Sequence, residues 1–220
     1  MEIIDCEQGS GEWLRARLGL PTASCFGQIV KQDMTPRTGD MPNSYMAQLI
    51  AERLMGEAAM VDFTSFATER GEILEAEAWP WYELETGCDV ERVGLVKTKL
   101  NTGDFGYSPD GLVYEGGRAV GAIEVKCPEA LSKSASYVKM LWSDDEAAAK
   151  PYLAQCLGGI LIAGLDWLDL VCYHPHPKLK NRIVRLSADA YGDELDALAL
   201  SLSKFNQALT AREEALRCFG

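Results

Sequence analysis

Three side chains, Asp110, Glu124 and Lys126, have the types and the spacing to act on a phosphate. They fall in "YSPDGLVYEGGRAVGAIEVKCP", Tyr107 to Pro128. Residues two apart on a strand point to the same face. Read as a strand, Ala122–Cys127 sets Glu124 and Lys126 on one side and Ile123, Val125 and Cys127 on the other, the core side. Gly116-Gly117 is a tight-turn signal that folds this strand back on "GLVYE". The fold-back brings Asp110 across from the Glu124/Lys126 end. Two carboxylates and an ammonium at one mouth of a sheet suit Mg²⁺ or Mn²⁺, which prefer oxygen ligands and keep places for water and phosphate oxygens. The Val125 carbonyl lies between the two site residues and could add a ligand. Lys126 could orient a water molecule, help lower its pKa, or offset charge building on the phosphate. The layout suits phosphodiester hydrolysis. The plainer reading is a solvated Glu–Lys pair, worth about 0–1 kcal/mol, and a turn aspartate before glycine.

The elements that must position these groups are legible in outline. Ser10–Gly19 reads as a short helix, capped by Ser10 and ended by Gly19. A second short helix follows Thr22. Lys31–Pro42 is turn-rich and expected to be a mobile loop. Helical apolar spacing follows, with Asn43 before it and Gly56 after it. A helix of about five turns covers Thr64–Gly87, with Pro80 inside it as an expected kink. From Cys88 to Cys127 the period changes to two, and "DVERVGLVKT", "DFGYS", "GLVYE" and "RAVGAIEVKC" read as strands. Helices are expected at Ser134–Trp142 and Lys150–Ala163. "WLDLVCYHP" and "NRIVRLS" then form a strand pair, and a C-terminal helix closes the chain. No repeat, low-complexity run or linker divides it, so one domain over 1–220 is expected. The element order predicts an α/β sheet flanked by helices.

Bulk properties narrow the partners. The seven cysteines are scattered with no CxxC, which reads as reduced, mostly buried thiols rather than a zinc or iron–sulfur site. The net charge of −12 argues mildly against a nucleic-acid binder, although binding needs a local basic surface rather than a basic total. Lys178, Lys180, Arg182 and Arg185 form such a local cluster, able to line a channel or simply to decorate a hairpin. His174 and His176, in "HPHP", read as turn residues; imidazoles are not what Mg²⁺ prefers. No apolar run approaches the ~18 residues of a membrane span, so no membrane is expected as a partner. The acidic start is unlike a secretory signal, so a cytoplasmic location is expected.

Several ordered motifs go further. "SPDG" followed by "IEVK" resembles the PD-(D/E)xK nuclease signature. Over roughly Gln8–Lys180 the chain resembles the lambda exonuclease and YqaJ-type phage recombinase family. "SGEWLRARLGLPTAS", "PRTGDMPNSYMAQLIAE", "GEILE", "SPDGL", "EVKCP", "YLAQ" and "YHPHPKLK" carry the likeness. The resemblance implies a restriction-endonuclease-like core, a central mixed β-sheet flanked by helices. It implies a Mg²⁺-dependent 5′-to-3′ exonuclease, for which Mn²⁺ would substitute. Such an enzyme degrades one strand of linear double-stranded DNA, leaves a 3′ overhang, forms a ring-shaped homotrimer and works beside a single-strand annealing protein.

The same resemblance assigns roles by position. Asp110, Glu124 and the Val125 carbonyl would hold metal, Lys126 would be catalytic, and Glu75 would be a further active-site glutamate able to support a second ion about 4 Å from the first. Arg17 would bind the terminal 5′-phosphate, with Ser24 and Ser108 as hydroxyl donors, because a guanidinium fork suits phosphate. Gln155 would lie near the active site, and Arg37 would reach DNA from its loop. Read alone, each has a plainer account: a solvated helix residue for Glu75, Arg17 and Gln155, a turn or strand end for the serines, a solvated loop for Arg37. The chain departs from the family at Thr68, near the place of a wedging leucine, where Phe66 is a substitute candidate; at Pro80; and in the extra turn "YEGGRA". The rival readings are an endonuclease on the same fold and a non-catalytic module that binds DNA ends.

Overall fold

The computed structural model describes residues 1–58, 66–131 and 136–218; the side chains of residues 66–69 and 72 lie outside the description. The wedge candidates Phe66 and Thr68 therefore fall outside the described side chains. In chain order the elements are β1 Glu2–Ile4, α1 Gly11–Arg17, α2 Phe26–Ile29, α3 Asp40–Met55, α4 Phe66–Thr86, β2 Val90–Glu91, β3 Leu95–Leu100, β4 Gly103–Tyr107, β5 Gly111–Glu115, β6 Arg118–Lys126, α5 Ser136–Trp142, α6 Asp145–Ala149, α7 Leu153–Ala163, β7 Trp167–Cys172, β8 Arg182–Ser187 and α8 Gly192–Arg217.

A five-stranded sheet, ordered β2-β5-β6-β7-β8, forms the centre, and β1-β3-β4 make a second, antiparallel sheet. In the larger sheet β6 and β7 are parallel and the other pairs antiparallel. The parallel step needs a long crossover, which α5, α6 and α7 supply. The segment read as one strand, "DVERVGLVKT", is two: β2 joins one sheet and β3 the other. Gly94 stands between them, where any Cβ would meet the Cys6 backbone at 2.3 Å.

Strand β6 is covered on both faces. Ala122 belongs to the main core with Phe26, Phe105, Leu157 and Leu168, on the side of α7. Ile123 and Val125 belong to a second cluster with Leu74, Ala78 and Tyr82 of α4. Leu74, Ala78 and Tyr82 recur every four residues, the stripe by which a helix lies on a sheet. Each buried aliphatic or aromatic chain contributes about 1.5–3 kcal/mol, enough to hold α4 in place. α4 runs on through Pro80, which faces solvent. α3 starts at Asp40, ahead of the expected Asn43, because Pro42 lies in the first turn, where its missing N–H costs nothing. All seven cysteines are free, and no described helix is long and apolar enough to cross a membrane.

α7 carries Gly158-Gly159 in mid-helix, a sequence that weakens a helix by about 1 kcal/mol per glycine relative to alanine. Packing explains it. A Cβ on Gly159 would come within 2.7 Å of the Tyr107 ring, and one on Gly158 within 2.6 Å of Phe26. The glycines let α7 approach the strands that carry the site. Gly159→Ala should therefore lower Tm by about 2–6 °C in thermal denaturation, despite the gain in helix propensity. A rise in Tm would show that the close approach is not needed.

Candidate active site

The antiparallel register of β5 and β6 pairs Gly111 with Ile123, so Asp110 follows on opposite Glu124. The Val125 N–H donates to Asp110 Oδ2 at 2.5 Å. Glu124 is 2% exposed, the one charged residue within an otherwise apolar stretch of β6. A carboxylate that deep requires partners. Lys126 Nζ donates to Glu124 Oε1 at 2.7 Å, Gln155 Nε2 from the first turn of α7 donates to the same oxygen, and the buried Tyr107 hydroxyl lies 3.4 Å from Oε2. The Lys126 ammonium also sits over the Tyr152 ring, 5.4 Å from its centroid. The solvated-pair reading of Glu124 and Lys126 thus fails on burial. Their face of β6 is not open to water but roofed by α7.

Glu75 lies on α4, the helix packed on the opposite face of β6. Burial, then the charge on Glu124, then that on Glu75 push the Asp110 carboxyl well above its ordinary value; Lys126 and the Val125 N–H only partly oppose them. The Cys127 thiol is pushed up to about 12, by burial first and then by Glu75. Glu75 therefore acts electrostatically on both Asp110 and the end of β6. Burial draws the Lys126 ammonium down, but Glu124 and Asp110 outweigh it and the net shift is upward. Both shifts run the same way, so Lys126 stays an ammonium and Asp110 holds a proton more readily than a free carboxyl does.

A second cluster lies at the other end of Ser108-Pro109-Asp110. Arg17 Nη1 donates to Ser108 Oγ at 3.4 Å, and Nη2 donates to Thr22 Oγ1 at 3.2 Å and Ser24 Oγ at 3.5 Å. The guanidinium is half-buried and lies over the Trp13 ring, 4.1 Å from its centroid. Among the described residues Arg17 makes no ion pair; its hydrogen-bond partners are hydroxyls. Burial draws its pKa down, a cost that an incoming anion would relieve. α3 braces this corner. Glu52, 8% exposed, accepts the Gly19 N–H at 2.8 Å, while Arg53 Nε donates to the Gly19 carbonyl at 2.8 Å and pairs with Glu213 of α8 at 2.9 Å. Gly19 has φ +64°, and the Arg53 side chain occupies the place of a Cβ.

Of the residues expected from sequence, Asp110, Glu124, Val125, Lys126 and Gln155 come together at the end of the central strand β6, within electrostatic reach of Glu75, and Arg17, Ser24 and Ser108 at the adjoining pocket. Arg37 hydrogen-bonds to neither group. Its Nε donates to the Gly27 and Val30 carbonyls at 2.7 and 2.8 Å, docking the loop onto the end of α2. Two members of the expected basic cluster are engaged internally. Arg182 holds the Ser143 carbonyl at 2.8 Å and Asp145 at 2.5 Å, and Arg185 pairs with buried Asp169 at 2.7 Å. His174 Nδ1 accepts the His176 N–H at 3.1 Å, and His176 Nδ1 accepts the Lys178 N–H at 3.2 Å, so both imidazoles serve the turn. Sequence reasoning gave no role to Tyr107, Tyr152, Thr22, Trp13, Glu52 or Arg70, which donates to the Cys127 carbonyl at 2.7 Å. The Gly158-Gly159 pair was the available signal for Tyr107, and the "W-x-x-x-R" spacing that for Trp13.

The YqaJ-like viral recombinase domain model matches residues 12–166. The structure of LHK-Exo in complex with dAMP is 30% identical, with a TM-score of 0.75 over 94% of this chain and 96% of that one. A second structure of this alkaline exonuclease, LHK-Exo from Laribacter hongkongensis, is 29% identical, with the same TM-score and coverage. A phage-related exonuclease from Haemophilus somnus, at 14% identity and a TM-score of 0.56 over 88% of this chain and 96% of that one, shares the fold. No curated protein matches the chain. With both clusters built on motifs inside the matched residues, the chain belongs to the YqaJ-like viral recombinase domain family and has its α/β, restriction-endonuclease-like core.

Proposed function

We propose that the chain is a divalent-cation-dependent 5′-to-3′ exonuclease that degrades one strand of linear duplex DNA and leaves a 3′ single-stranded overhang. The observation that carries this reading is the union of an acidic nest and an anion pocket through three consecutive residues: Ser108 serves the pocket and Asp110 the nest. A strand whose terminal phosphate rests on Arg17 directs its next phosphodiester toward Asp110 and Glu124. Membership of a recombinase family with exonuclease neighbours supports a nuclease acting on DNA in recombination. A single-strand annealing protein as partner and a homotrimeric ring complete the proposal. A ring reconciles DNA binding with a net charge of −12, since its acidic outside repels duplex while a basic lumen guides it.

The residues present fit a divalent cation, because Asp110 lies opposite Glu124 in the β5–β6 hairpin, and burial first, then the charges on Glu124 and Glu75, raise the Asp110 pKa. Asp110, Glu124, the Val125 carbonyl and Glu75 would hold Mg²⁺ or Mn²⁺. When bound, such an ion supplies Lewis acidity to the scissile phosphate and acidifies water. The chain's own groups do the rest. Lys126 keeps its proton on Nζ and is aimed by Glu124, so it donates a hydrogen bond and places fixed positive charge where the phosphate gains negative charge. Gln155 and Tyr107 fix the Glu124 carboxylate from behind. Arg17, Ser24 and Ser108 grip the new 5′-phosphate after each cut, and its charge relieves the buried guanidinium.

Linear duplex labelled separately at each end tests the reading. With Mg²⁺ the 5′ label should be released early and the 3′ label retained in a long single strand; without Mg²⁺ nothing should be cut. Closed circular DNA should stay intact. Cutting of the circle would establish the endonuclease instead, and end binding without any cutting would leave a non-catalytic module.

Lys126→Ala should lower Tm, because buried Glu124 loses its ammonium, yet stay folded and still bind DNA ends, while the cleavage rate falls by about 10²–10³-fold, the cost of losing one preorganised donor. Unchanged cleavage would remove Lys126 from the mechanism.

Asp110 also makes a prediction about stability. Its folded-state pKa is raised, so without metal the folded chain holds the proton more tightly than the unfolded chain. Stability is then favoured at low pH and declines as pH rises from the ordinary carboxylate range of about 3.9 through the folded value. Metal-free Asp110→Asn should be at least as stable as the parent at pH 8. Mg²⁺ should raise Tm of the parent and do so far less in the variant. A variant markedly less stable than the metal-free parent would contradict the repulsion argument.

A further inference from the structure

The neighbours of Ser108 commit its hydroxyl to one role. A serine oxygen has one proton to give and two lone pairs to receive with. The Trp13 Nε1–H donates to Ser108 Oγ at 2.9 Å, and Arg17 Nη1 donates to the same oxygen at 3.4 Å. With both accepting positions used, the Ser108 proton is left for a third group. The indole N–H is a donor only, so Trp13 cannot rotate into a competing, accepting arrangement. Trp13 is 9% exposed and packs with Leu20 and Leu95, which fixes the direction of its N–H. The Arg17 guanidinium also lies over its ring, 4.1 Å from carbon to centroid, a cation–π contact. One buried side chain thus aligns two of the pocket's donors.

We propose that Trp13 is a positioning residue of the 5′-phosphate pocket. Its N–H fixes Ser108 as a donor, and its ring supports the Arg17 guanidinium, so that the pocket offers hydrogen-bond donors to a terminal phosphate monoester. The inference rests on the pocket reading given above and assigns the selectivity of that pocket to a residue that does not itself touch the phosphate.

The test compares kcat/KM on linear duplexes bearing 5′-phosphate or 5′-hydroxyl ends for the parent, Trp13→Phe, Ser108→Ala, Arg17→Ala and the Trp13→Phe/Ser108→Ala pair. Trp13→Phe keeps an aromatic ring and removes the N–H. It should reduce the phosphate-over-hydroxyl preference by about tenfold, mostly through KM, the effect of misdirecting one hydrogen bond to a charged group. Added to Ser108→Ala it should change the preference little further, since both act through one hydroxyl. Loss of preference in Arg17→Ala with full preference in Trp13→Phe would overturn the inference and leave the pocket standing. Unchanged preference in Arg17→Ala would overturn the pocket and the inference together. Should Trp13→Phe lower Tm sharply, benzothienylalanine at position 13 has the shape of tryptophan without the N–H. Full preference there, or equal losses on both kinds of end, would reduce Trp13 to a packing residue.

Discussion

A carboxylate placed in a strand that is covered on both faces is the constraint on which the site depends. Removing an ion such as Glu124 from water costs several kcal/mol unless charge and hydrogen bonds replace the hydration. Lys126, Gln155 and Tyr107 provide the replacement. Each needs a different element at the right distance: the end of β6, the first turn of α7 and the end of β4. α7 can come close enough only because glycines face Phe26 and Tyr107. The compensation is also deliberately incomplete in charge. The Lys126 ammonium faces Glu124 and Asp110, and burial, followed by the charges on Glu124 and Glu75, leaves the Asp110 pKa raised.

The second constraint is how the two clusters are tied. Ser108-Pro109-Asp110 is held at several points: Trp13 on the Ser108 hydroxyl, Gln8 on the Pro109 carbonyl at 2.8 Å, and the Val125 N–H on the Asp110 carboxylate. Pro109 itself fixes one backbone angle and removes a donor that would otherwise need a partner. Gln8 also reaches the Val93 carbonyl at 3.0 Å, so Gln8 clamps the turn to the segment between β2 and β3. The separation between the Arg17 cluster and the Asp110–Glu124 cluster is therefore a property of three residues and their ties.

Much of this was legible in the sequence, for definable reasons. Asp110, Glu124 and Lys126 sit on one hairpin, and a hairpin with a clear turn converts sequence spacing into register by local geometry alone. Arg17, Ser24, Ser108, Glu75 and Gln155 come from five separate segments, and only the resemblance of ordered motifs joined them. The resemblance named residues but not their supports. Tyr107, Glu52 and Trp13 act through contacts spanning 17, 33 and 95 positions, which no local pattern encodes. The basic appearance of "PHPKLKNRIVRLS" misled for a physical reason. Arginines on a strand read as a charged face, yet Arg182 and Arg185 are used to satisfy a helix end and a buried aspartate. The split of β2 from β3 was hidden because alternation continues across Gly94 even though the sheet does not.

Asp169 shows how the far side of the sheet serves the same site. It is fully buried, accepts the Tyr82 hydroxyl of α4 at 2.7 Å and takes both Nε and Nη2 of Arg185, at 2.8 and 2.7 Å. Arg185 is exposed, and an ion pair open to water on one side contributes little net stability, so stability is a poor account of this one. Direction is a better account. The apolar stripe of Leu74 and Ala78 would let α4 slide along Ile123 and Val125 at small cost, because apolar contacts do not specify position. A phenol bonded to a carboxylate fixed by an arginine does specify it. Arg70, bonded to the Cys127 carbonyl, pins the same helix toward its start. Glu75 lies between these two pins, on a helix that also passes through Pro80. Without them, a proline that removes one turn's hydrogen bond would leave the preceding turns free to tilt, and Glu75 would lose its alignment with Asp110.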